Sequence, residues 1–559
     1  MRIAGVKITH FRGISSCEFT LDQDDSLICL IGKGDSTKTT ILTAIQWAID
    51  SSRSLSIEDQ DFYQCDTSTP ITIEVGVRFL PVELIEVAKF GMFLTDGPAF
   101  AGSYDPVDGK QPCLTVRLSI SDDLDPIWEV YKGERSKRVG AGDRALLGMS
   151  RPFSTTGPMF TWSRGSDLRR LAVSGKEIDA AVIDAVRCLN DSEGQLAFDD
   201  SLVSLCDGLR ELGVLLEDGK LSSHMLVHRT RLGVPVALFD GNVPIELKGS
   251  GTRKLIGAAI GMAVTELGAI LVIDEVETGL EPHRLRGLLR TLRDNADREK
   301  GQVILTTHSP VAITELNEFE VAAVHSFGGT TTVEKMATRP EGDELVRKKL
   351  KSCAEAFLAR SVIVCEGKTE LGIVRALDEA RPMFLSQKGT APVDANGGSE
   401  MFKLARLLNG CGYHTCIFMD SDEEKYDSEK SAVREEGIQV FDWECGMSTE
   451  LQLFNDLPDK TVRELISLAV EEWGDERVKG GLSRNGVSFE DVMSTSRCLT
   501  PEERRGIGMA AQGSNGKPWF KRIDLGERLG KVAAGVMDDI AETRTGRTFY
   551  DLVRWVEVS

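Results

Sequence analysis

The feature that most constrains the fold is an apolar run that leads directly into a glycine-containing loop and then a helical pattern. Leu27–Ile31 has the length of a buried strand, and apolar residues recur at helical spacing from Thr39 to Ile49. Such a strand, loop and helix present backbone N–H groups at the helix start, where they and the helix dipole attract phosphate. The pattern predicts an α/β domain with a nucleotide site at residues 32–40.

The loop sequence Gly-Lys-Gly-Asp-Ser-Thr-Lys-Thr fits a phosphate-binding loop at all but one position. Lys38 is expected to reach the outer phosphates, and the Thr39 hydroxyl is expected to bind Mg²⁺. Thr37 stands where a second glycine is usual, which adds a Cβ where backbone approaches phosphate. Taken alone, the loop also fits a glycine turn that caps a helix. The residues assigned to nucleotide binding here are Gly32, Gly34, Asp35, Ser36, Thr37, Lys38, Thr39 and Thr40.

Two later apolar runs end in residues suited to nucleotide hydrolysis. Leu271–Ile273 leads into Asp274 and Glu275, which places a Mg²⁺ ligand beside a base that can activate water. Val303–Thr306 is followed by His308, a candidate sensor of the γ-phosphate, although an isolated histidine is more often structural. A helical stretch at 282–296 separates the two runs. This alternation predicts a parallel α/β sheet.

A second set of apolar runs follows a polar boundary at residues 338–351. Ser361–Cys365 and Thr415–Met419 each lead directly into a pair of acidic residues. Carboxylates at the carboxyl edge of a parallel sheet repel each other unless cations neutralise them, which predicts Mg²⁺ or Mn²⁺. Either pair alone is better explained as solvated loop charge, but two such pairs in one domain favour a metal site. The four carboxylates assigned to it are Glu366, Glu370, Asp420 and Asp422.

Chain length and net charge limit the number of domains and the kind of nucleic-acid surface that the protein can have. A chain of 559 residues is too long for one core, so two or three domains are expected. We assign residues 1–80 and 242–345 to one domain and 353–559 to another. Residues 81–241 lose the regular pattern, with helical segments at 177–216, and are interpreted as a partly helical insertion and candidate dimerisation region. The net charge of −21 excludes a generally basic coat, so any nucleic-acid surface must be local.

The cysteines and the apolar segments bear on the cellular compartment. Twelve cysteines are scattered, and the closest pair, Cys411 and Cys416, lacks the spacing of a zinc or redox motif. The first ten residues show no signal pattern, and the most apolar stretch is interrupted by Thr265 and Glu266. We therefore expect a cytoplasmic protein without a membrane partner.

The first domain resembles the RecF/SMC-like ABC ATPases. Phe11-Arg12-Gly13, the phosphate loop, Lys248–Thr252, the acid pair and the histidine occur in that family's order. The segment around Ser250 and Gly251 resembles the ABC signature, and Glu277–Pro282 resembles the D-loop. In that family the signature of one subunit completes the nucleotide site of another, so the resemblance implies a homodimer of heads that binds ATP.

The second domain resembles a Toprim domain, on Glu366-Gly367 and Asp420-x-Asp422. The spacing Glu366-x-x-x-Glu370 is also similar to the OLD (overcoming lysogenization defect) nucleases, which join an ABC head to a C-terminal Rossmann-like Toprim domain. This resemblance implies an ATP-binding, two-metal DNA endonuclease, with a link to antiphage defence. It further implies a fifth acidic ligand, Glu450, which is also explained as an exposed acid in a first helical turn. It also implies a late catalytic lysine, Lys517 or Lys521.

Two other functions stay open at this stage. One is an ATPase that clamps or signals on DNA without cutting it. The other is a Toprim enzyme that joins bonds, such as a primase or topoisomerase, although the sequence shows neither a zinc-binding cysteine set nor an evident nucleophilic tyrosine. Whether a helicase or another partner is required also stays open.

Overall fold

The computed structural model divides into two compact units, Met1–Ala354 and Glu355–Ser559. The structure describes residues 1–49, 55–102, 105–107, 109–147, 149–150, 160–161, 168, 199–214, 216, 221–225, 236–265, 269–298, 301–338, 343–380, 385–513 and 518–558. The helical prediction at 177–198 and the predicted Lys517 therefore lie outside the described residues. Among the helices described, none is both long and apolar enough to cross a membrane.

The first unit is built on a twelve-stranded mixed sheet in the order β7-β6-β5-β4-β1-β2-β15-β14-β3-β13-β12-β8. A separate three-stranded sheet has the order β11-β10-β9. The strands are β1 Arg2–Phe11, β2 Ile14–Thr20, β3 Leu27–Ile31, β4 Ile71–Arg78, β5 Leu114–Ile120, β6 Pro126–Lys132, β7 Arg135–Arg138, β8 Met149–Ser150, β9 Leu221–Met225, β10 Val236–Asp240, β11 Val243–Pro244, β12 Ile270–Ile273, β13 Gln302–Thr306, β14 Val321–Phe327 and β15 Thr330–Lys335.

Three helices of this unit directly follow strands of the parallel half of the sheet. Helix α1 begins directly after the phosphate loop, α6 follows β12 and α7 follows β13. The helices are α1 Lys38–Ile49, α2 Val82–Ile85, α3 Ala141–Ala145, α4 Asp199–Glu211, α5 Ser250–Thr265, α6 Pro282–Arg298, α7 Pro310–Glu315 and α8 Glu344–Ser352.

Strands β14, β3, β13 and β12 are parallel neighbours, which gathers their carboxyl ends at one edge of the sheet. Leu30 on β3 pairs with Thr306 on β13, and Ile273 on β12 pairs with Leu305. All five residues of β3 are buried, as expected for a strand covered on both faces. The loops that follow these strands therefore lie side by side, and they carry the predicted nucleotide residues.

The stretch predicted as an insertion contributes strands to this same sheet. β5, β6 and β7 extend the antiparallel half from β4, within residues 114–138. Buried and half-buried residues alternate from Val116 to Ile120, the pattern of a strand with one covered face. The glycine and proline residues that precede it obscured this alternation in the sequence.

The second unit has a four-stranded parallel sheet in the order β17-β16-β18-β19, packed against helices. The strands are β16 Ser361–Cys365, β17 Thr390–Asp394, β18 His414–Phe418 and β19 Gln439–Phe441. The helices are α9 Lys368–Ala380, α10 Leu385–Lys388, α11 Glu400–Gly410, α12 Asp427–Glu435, α13 Thr449–Asp456, α14 Asp459–Trp473, α15 Asp475–Arg484, α16 Phe489–Met493, α17 Pro501–Gln512, α18 Ile523–Gly535 and α19 Arg544–Val558.

Helices α9 and α18 approach so closely that their contact tolerates only glycine. A Cβ added at Gly372 would lie 2.5 Å from the Ile523 carbonyl oxygen, and one at Gly526 would lie 2.7 Å from the Thr369 carbonyl oxygen. This contact holds the start of α18 against the first turn of α9. It thereby places Lys521, which lies just before α18, near the carboxylates that follow β16.

Candidate nucleotide and metal sites

The phosphate loop wraps around the side chain of Lys38. The Lys38 Nζ donates to the carbonyl oxygens of Gly32 and Lys33, at 3.0 and 2.7 Å, and to Ser36 Oγ at 3.0 Å. Desolvation lowers the pKa of Lys38 to about 8, and the negative charge of nearby Asp274 opposes that shift. A buried ammonium in a cup of backbone atoms is the arrangement expected of a phosphate-binding lysine.

The other predicted loop residues differ in how far they are buried. Ser36 is buried, whereas Gly34 and Asp35 are exposed. Thr40 lies half-buried in the first turn of α1. Thr37 adopts a left-handed backbone with φ +66°, a conformation that costs an L-residue about 1–2 kcal/mol and that glycine adopts freely.

The predicted Mg²⁺ ligands of the nucleotide site are in direct contact. Thr39 Oγ1 donates to Asp274 Oδ1 at 3.2 Å, although the two residues are 235 positions apart. Thr306, the last residue of β13, donates its hydroxyl to the same Asp274 oxygen at 2.6 Å and accepts from the Glu275 N–H at 2.8 Å. Thr306 thus aligns the acid pair, although it was not among the residues assigned from the sequence.

His308 is exposed beside the acid pair, and Glu277 fixes its backbone. Glu277 accepts from the His308 N–H at 2.7 Å and from the Thr307 hydroxyl at 2.6 Å. The imidazole therefore projects from an anchored turn at the same sheet edge as the phosphate loop. Glu277 was assigned from sequence only to the D-loop resemblance.

The signature-like segment contacts the D-loop-like segment within the same unit. Ser250 and Gly251 begin α5, and a Cβ at Gly251 would lie 2.4 Å from the Gly279 carbonyl oxygen. Lys254, one turn further along, donates to the Glu275 carbonyl oxygen. The two segments are therefore packed directly against each other.

The carboxylates of the second unit converge on one cleft at the carboxyl edge of its sheet. Glu366 Oε2 accepts from the Asp420 N–H at 2.9 Å, which joins the exits of β16 and β18. Glu370, in the first turn of α9, accepts from the Gly367 N–H at 3.1 Å. The cleft has a volume of about 630 Å³. Its acidic and basic lining residues are Glu366, Lys368, Glu370, Asp394, Asp420, Asp422, Glu450 and Lys521.

One hydroxyl bridges two of these carboxylates. Thr449 Oγ1 lies 2.8 Å from Glu370 Oε1 and 2.6 Å from Asp420 Oδ1, and the Thr449 N–H also donates to Asp420 Oδ1 at 2.7 Å. Trp443 Nε1 donates to the same hydroxyl at 2.8 Å. The Ser448 side chain caps α13 by accepting from the Leu451 N–H, which fixes Thr449 and Glu450 in the first turn. Sequence reasoning missed Thr449 and Trp443.

Burial and mutual repulsion raise the pKa values of these acids. Desolvation, followed by the charge of Asp420, raises the pKa of both Glu366 and Glu450 to about 7. The same two causes raise the pKa of Glu370 well above its usual range. Desolvation raises the pKa of Asp420 to about 6. The carboxylates of this site are therefore poorly solvated and close together. A bound cation would relieve the repulsion between them.

Lys521 lines this cleft together with Lys368. Its positive charge opposes the raised pKa values of Asp420, Asp422 and Glu450. Its side chain is exposed, whereas the aromatic residues before it, Trp519 and Phe520, are buried. The buried aromatic pair anchors the segment, and the lysine extends into the cleft.

The carboxylate oxygens of this cleft are suitable ligands for a hard divalent cation. Several of them accept hydrogen bonds from other residues of the chain. Oxygen ligands from several carboxylates are those that Mg²⁺ and Mn²⁺ prefer. In the described residues, no three Asp, Glu, His or Cys side chains already form a group arranged to hold an ion. The hydrogen bonds from Thr449 and from the Asp420 N–H therefore orient these carboxylates before any cation binds.

Comparisons with known proteins match different domain families to the two units of the chain. Residues 1–193 match the AAA ATPase domain, and 206–314 match the AAA domain described as "putative AbiEii toxin, Type IV TA system". Residues 357–422 match the TOPRIM domain of overcoming lysogenization defect-like proteins. That last match spans both carboxylate pairs at the strand exits. The chain thus combines an ATPase domain with an OLD-like TOPRIM domain.

The chain aligns with curated nucleases over about three quarters of their length. The chain is 22% identical to endonuclease GajA of Bacillus cereus (strain VD045), covering 76% of this chain and 75% of that protein. It is 23% identical to the Old nuclease of Escherichia phage P2, covering 76% and 77%. A solved structure of the SmcHead bound to the C-winged helix domain of ScpA aligns with 60% of this chain and 97% of that chain, at 14% identity and a TM-score of 0.36.

Proposed function

We propose that this chain, with its ATPase and OLD-like TOPRIM domains, is an ATP-binding, divalent-metal-dependent DNA endonuclease. The observation that carries the proposal is that carboxylates which follow β16 and β18, and others in the first turns of α9 and α13, line one cleft together with Lys521. Nuclease relatives that span both domains support the same activity. A role in antiphage defence belongs to the proposal through the OLD resemblance.

In this proposal each group in the cleft has a defined task. Glu366, Glu370, Asp420, Asp422 and Glu450 would hold two divalent ions, which supply an activated water and stabilise the leaving oxygen of a phosphodiester. Lys521 would place a positive charge beside the scissile phosphate, where it offsets the charge of the DNA backbone. Trp443 and Thr449 keep the acids oriented from the side away from the cleft.

The first unit would bind ATP with Mg²⁺ between two copies of the head. Lys38 would hold the phosphates, Thr39 and Asp274 the ion, and Glu275 would orient the attacking water. His308 would contact the γ-phosphate. Ser250 and Gly251 would complete the site of a second copy, and their contact with Gly279 would link the two nucleotide sites of a homodimer.

The test is cleavage of a supercoiled plasmid with Mg²⁺ or Mn²⁺, with and without ATP. The wild type is expected to nick or linearise the plasmid only with the divalent ion. Glu366→Gln keeps the shape of the side chain but removes its charge, and it is expected to abolish cleavage. Glu435→Gln, an exposed acid on α12, is the matched control and should cleave as the wild type does.

Two outcomes would redirect the proposal. Undiminished cleavage by Glu366→Gln would remove the assigned site. If the wild type binds DNA and ATP but breaks no strands with either ion, the protein is instead a DNA-binding ATPase of the RecF/SMC type.

A further inference from the structure

The phosphate loop departs from its usual form at Thr37, and the departure has a structural counterpart on another strand. With φ +66°, the backbone of Thr37 occupies the region where glycine is the unstrained residue. A β-branched residue is stable there only if the surrounding structure holds it in place. The contacts of Thr37 therefore show what supplies that support.

The Thr37 hydroxyl is engaged on two sides. Its Oγ1 donates to the Ser36 carbonyl oxygen at 2.6 Å and lies 3.0 Å from the Thr331 hydroxyl oxygen. Thr331 is a buried residue of β15, 294 positions away, and it can donate its hydroxyl proton to Thr37 while its oxygen lies 3.3 Å from the Ser326 hydroxyl on β14. The loop is thus tied through hydroxyl groups to both strands of one hairpin.

The same hairpin contacts the loop at its other end. Gly32 opens the loop with φ +146°, and a Cβ there would lie 2.4 Å from the Val324 carbonyl oxygen on β14. β14 pairs with β3, and β15 pairs with β2, so the hairpin is held in the central sheet. The β14–β15 hairpin therefore contacts the loop at Gly32 and at Thr37.

We propose that the β14–β15 hairpin cradles the phosphate loop, and that Thr331 is the positioning residue that allows Thr37 to replace the usual glycine. The hydroxyl of Thr331 holds Thr37 in the left-handed conformation before nucleotide arrives, so that binding does not have to order the loop. This inference rests on the proposed binding of ATP by this loop. Thr331 acts through Thr37 and is not assigned a contact with the nucleotide.

The experiment is a double-mutant cycle on the full-length protein. The affinity for a non-hydrolysable ATP analogue with Mg²⁺ is measured by calorimetry. Thr331→Val preserves the shape of the side chain but removes the hydroxyl, and it is expected to weaken binding about three- to tenfold, the loss of one ordinary hydrogen bond. Thr331→Ser keeps the hydroxyl and should bind as the wild type does. Thr332→Val, the exposed neighbour on β15, is the matched control for the substitution itself.

The decisive comparison uses Thr37→Gly. Glycine adopts the left-handed backbone without support, so Thr331→Val should have no effect on affinity in the Thr37→Gly background. Equal losses in both backgrounds would show that Thr331 acts only through general stability, and they would overturn the inference. A wild type that fails to bind the analogue, as Lys38→Ala is expected to fail, would instead refute the proposed nucleotide site.

Discussion

The two sites of this protein differ in how their charges are balanced. In the nucleotide site, the buried Lys38 lies near Asp274, and hydroxyl groups of Thr39 and Thr306 donate to that carboxylate. In the cleft of the second unit, partly and fully buried acids lie close together, and the positive charge of Lys521 opposes the raised pKa of Asp420. The first site is organised before its ligand binds, whereas the second carries an excess of negative charge that favours cation binding.

The largest expected effect is a loss of DNA cleavage that leaves nucleotide binding unchanged. Asp420→Asn removes the charge that repels Glu366, Glu370 and Glu450, and with it one of the proposed metal ligands. Because metal-ion stabilisation of a transition state amounts to several kcal/mol, the cleavage rate should fall by at least about 100-fold. Calorimetry should show ATP affinity unchanged. Loss of both properties would mean that the two sites are not independent.

The next prediction concerns the stability of the protein without divalent ions. The pKa of Glu366 is raised from its ordinary value of 4.5 to about 7, so the folded protein retains a proton that the unfolded chain has released. The stability that this group contributes is fully present below pH 4.5 and is lost as the pH rises through 7. The loss is about 3 kcal/mol at most.

Thermal unfolding in EDTA at pH 5.5 and pH 8 measures this dependence. The wild type should lose more stability than Glu366→Gln over that interval, and saturating Mg²⁺ should reduce the difference. The substitution is needed as a control because the whole protein, at a net charge of −21, also changes charge over this range. Equal pH dependence in the two proteins would contradict the raised pKa of Glu366.

The smallest effect concerns the hydroxyl that bridges the acids. Thr449→Val removes the hydroxyl that lies within hydrogen-bond distance of both Glu370 and Asp420. It also leaves Trp443 Nε1 without its acceptor. The free energy of unfolding should fall by about 1–3 kcal/mol in metal-free protein, the cost of unpaired buried polar groups. Thr449→Ser keeps the hydroxyl and should lose less than half as much. Denaturant unfolding measures both variants, and a loss in Thr449→Ser equal to that in Thr449→Val would show that the hydroxyl contributes no more to stability than the methyl group.

The sequence predicted the strands that carry the sites better than the side chains that organise them. Leu27–Ile31 and Ser361–Cys365 were predicted with the bounds that the structure shows, because fully apolar runs of this length favour a strand buried on both faces. Since parallel strands end at one edge, the acids and loops at their carboxyl ends followed from the same pattern.

The supporting threonines could not be predicted in this way. Thr306, Thr331 and Thr449 have no characteristic neighbours in sequence, and each acts on residues that are distant along the chain. The strands of residues 114–138 were missed for a related reason. Their place in the sheet depends on pairing with β4, which no local pattern of glycine, proline or apolar residues encodes.

The central claim is that the acids of the second unit form a site for divalent cations. Mn²⁺ binding, measured by electron paramagnetic resonance on full-length protein without ATP or DNA, tests it most directly. Tight binding by the wild type and Lys38→Ala, with loss of that binding in Glu366→Gln and Asp420→Asn, is the predicted result. Equal Mn²⁺ binding by the wild type and both acid variants would contradict the claim.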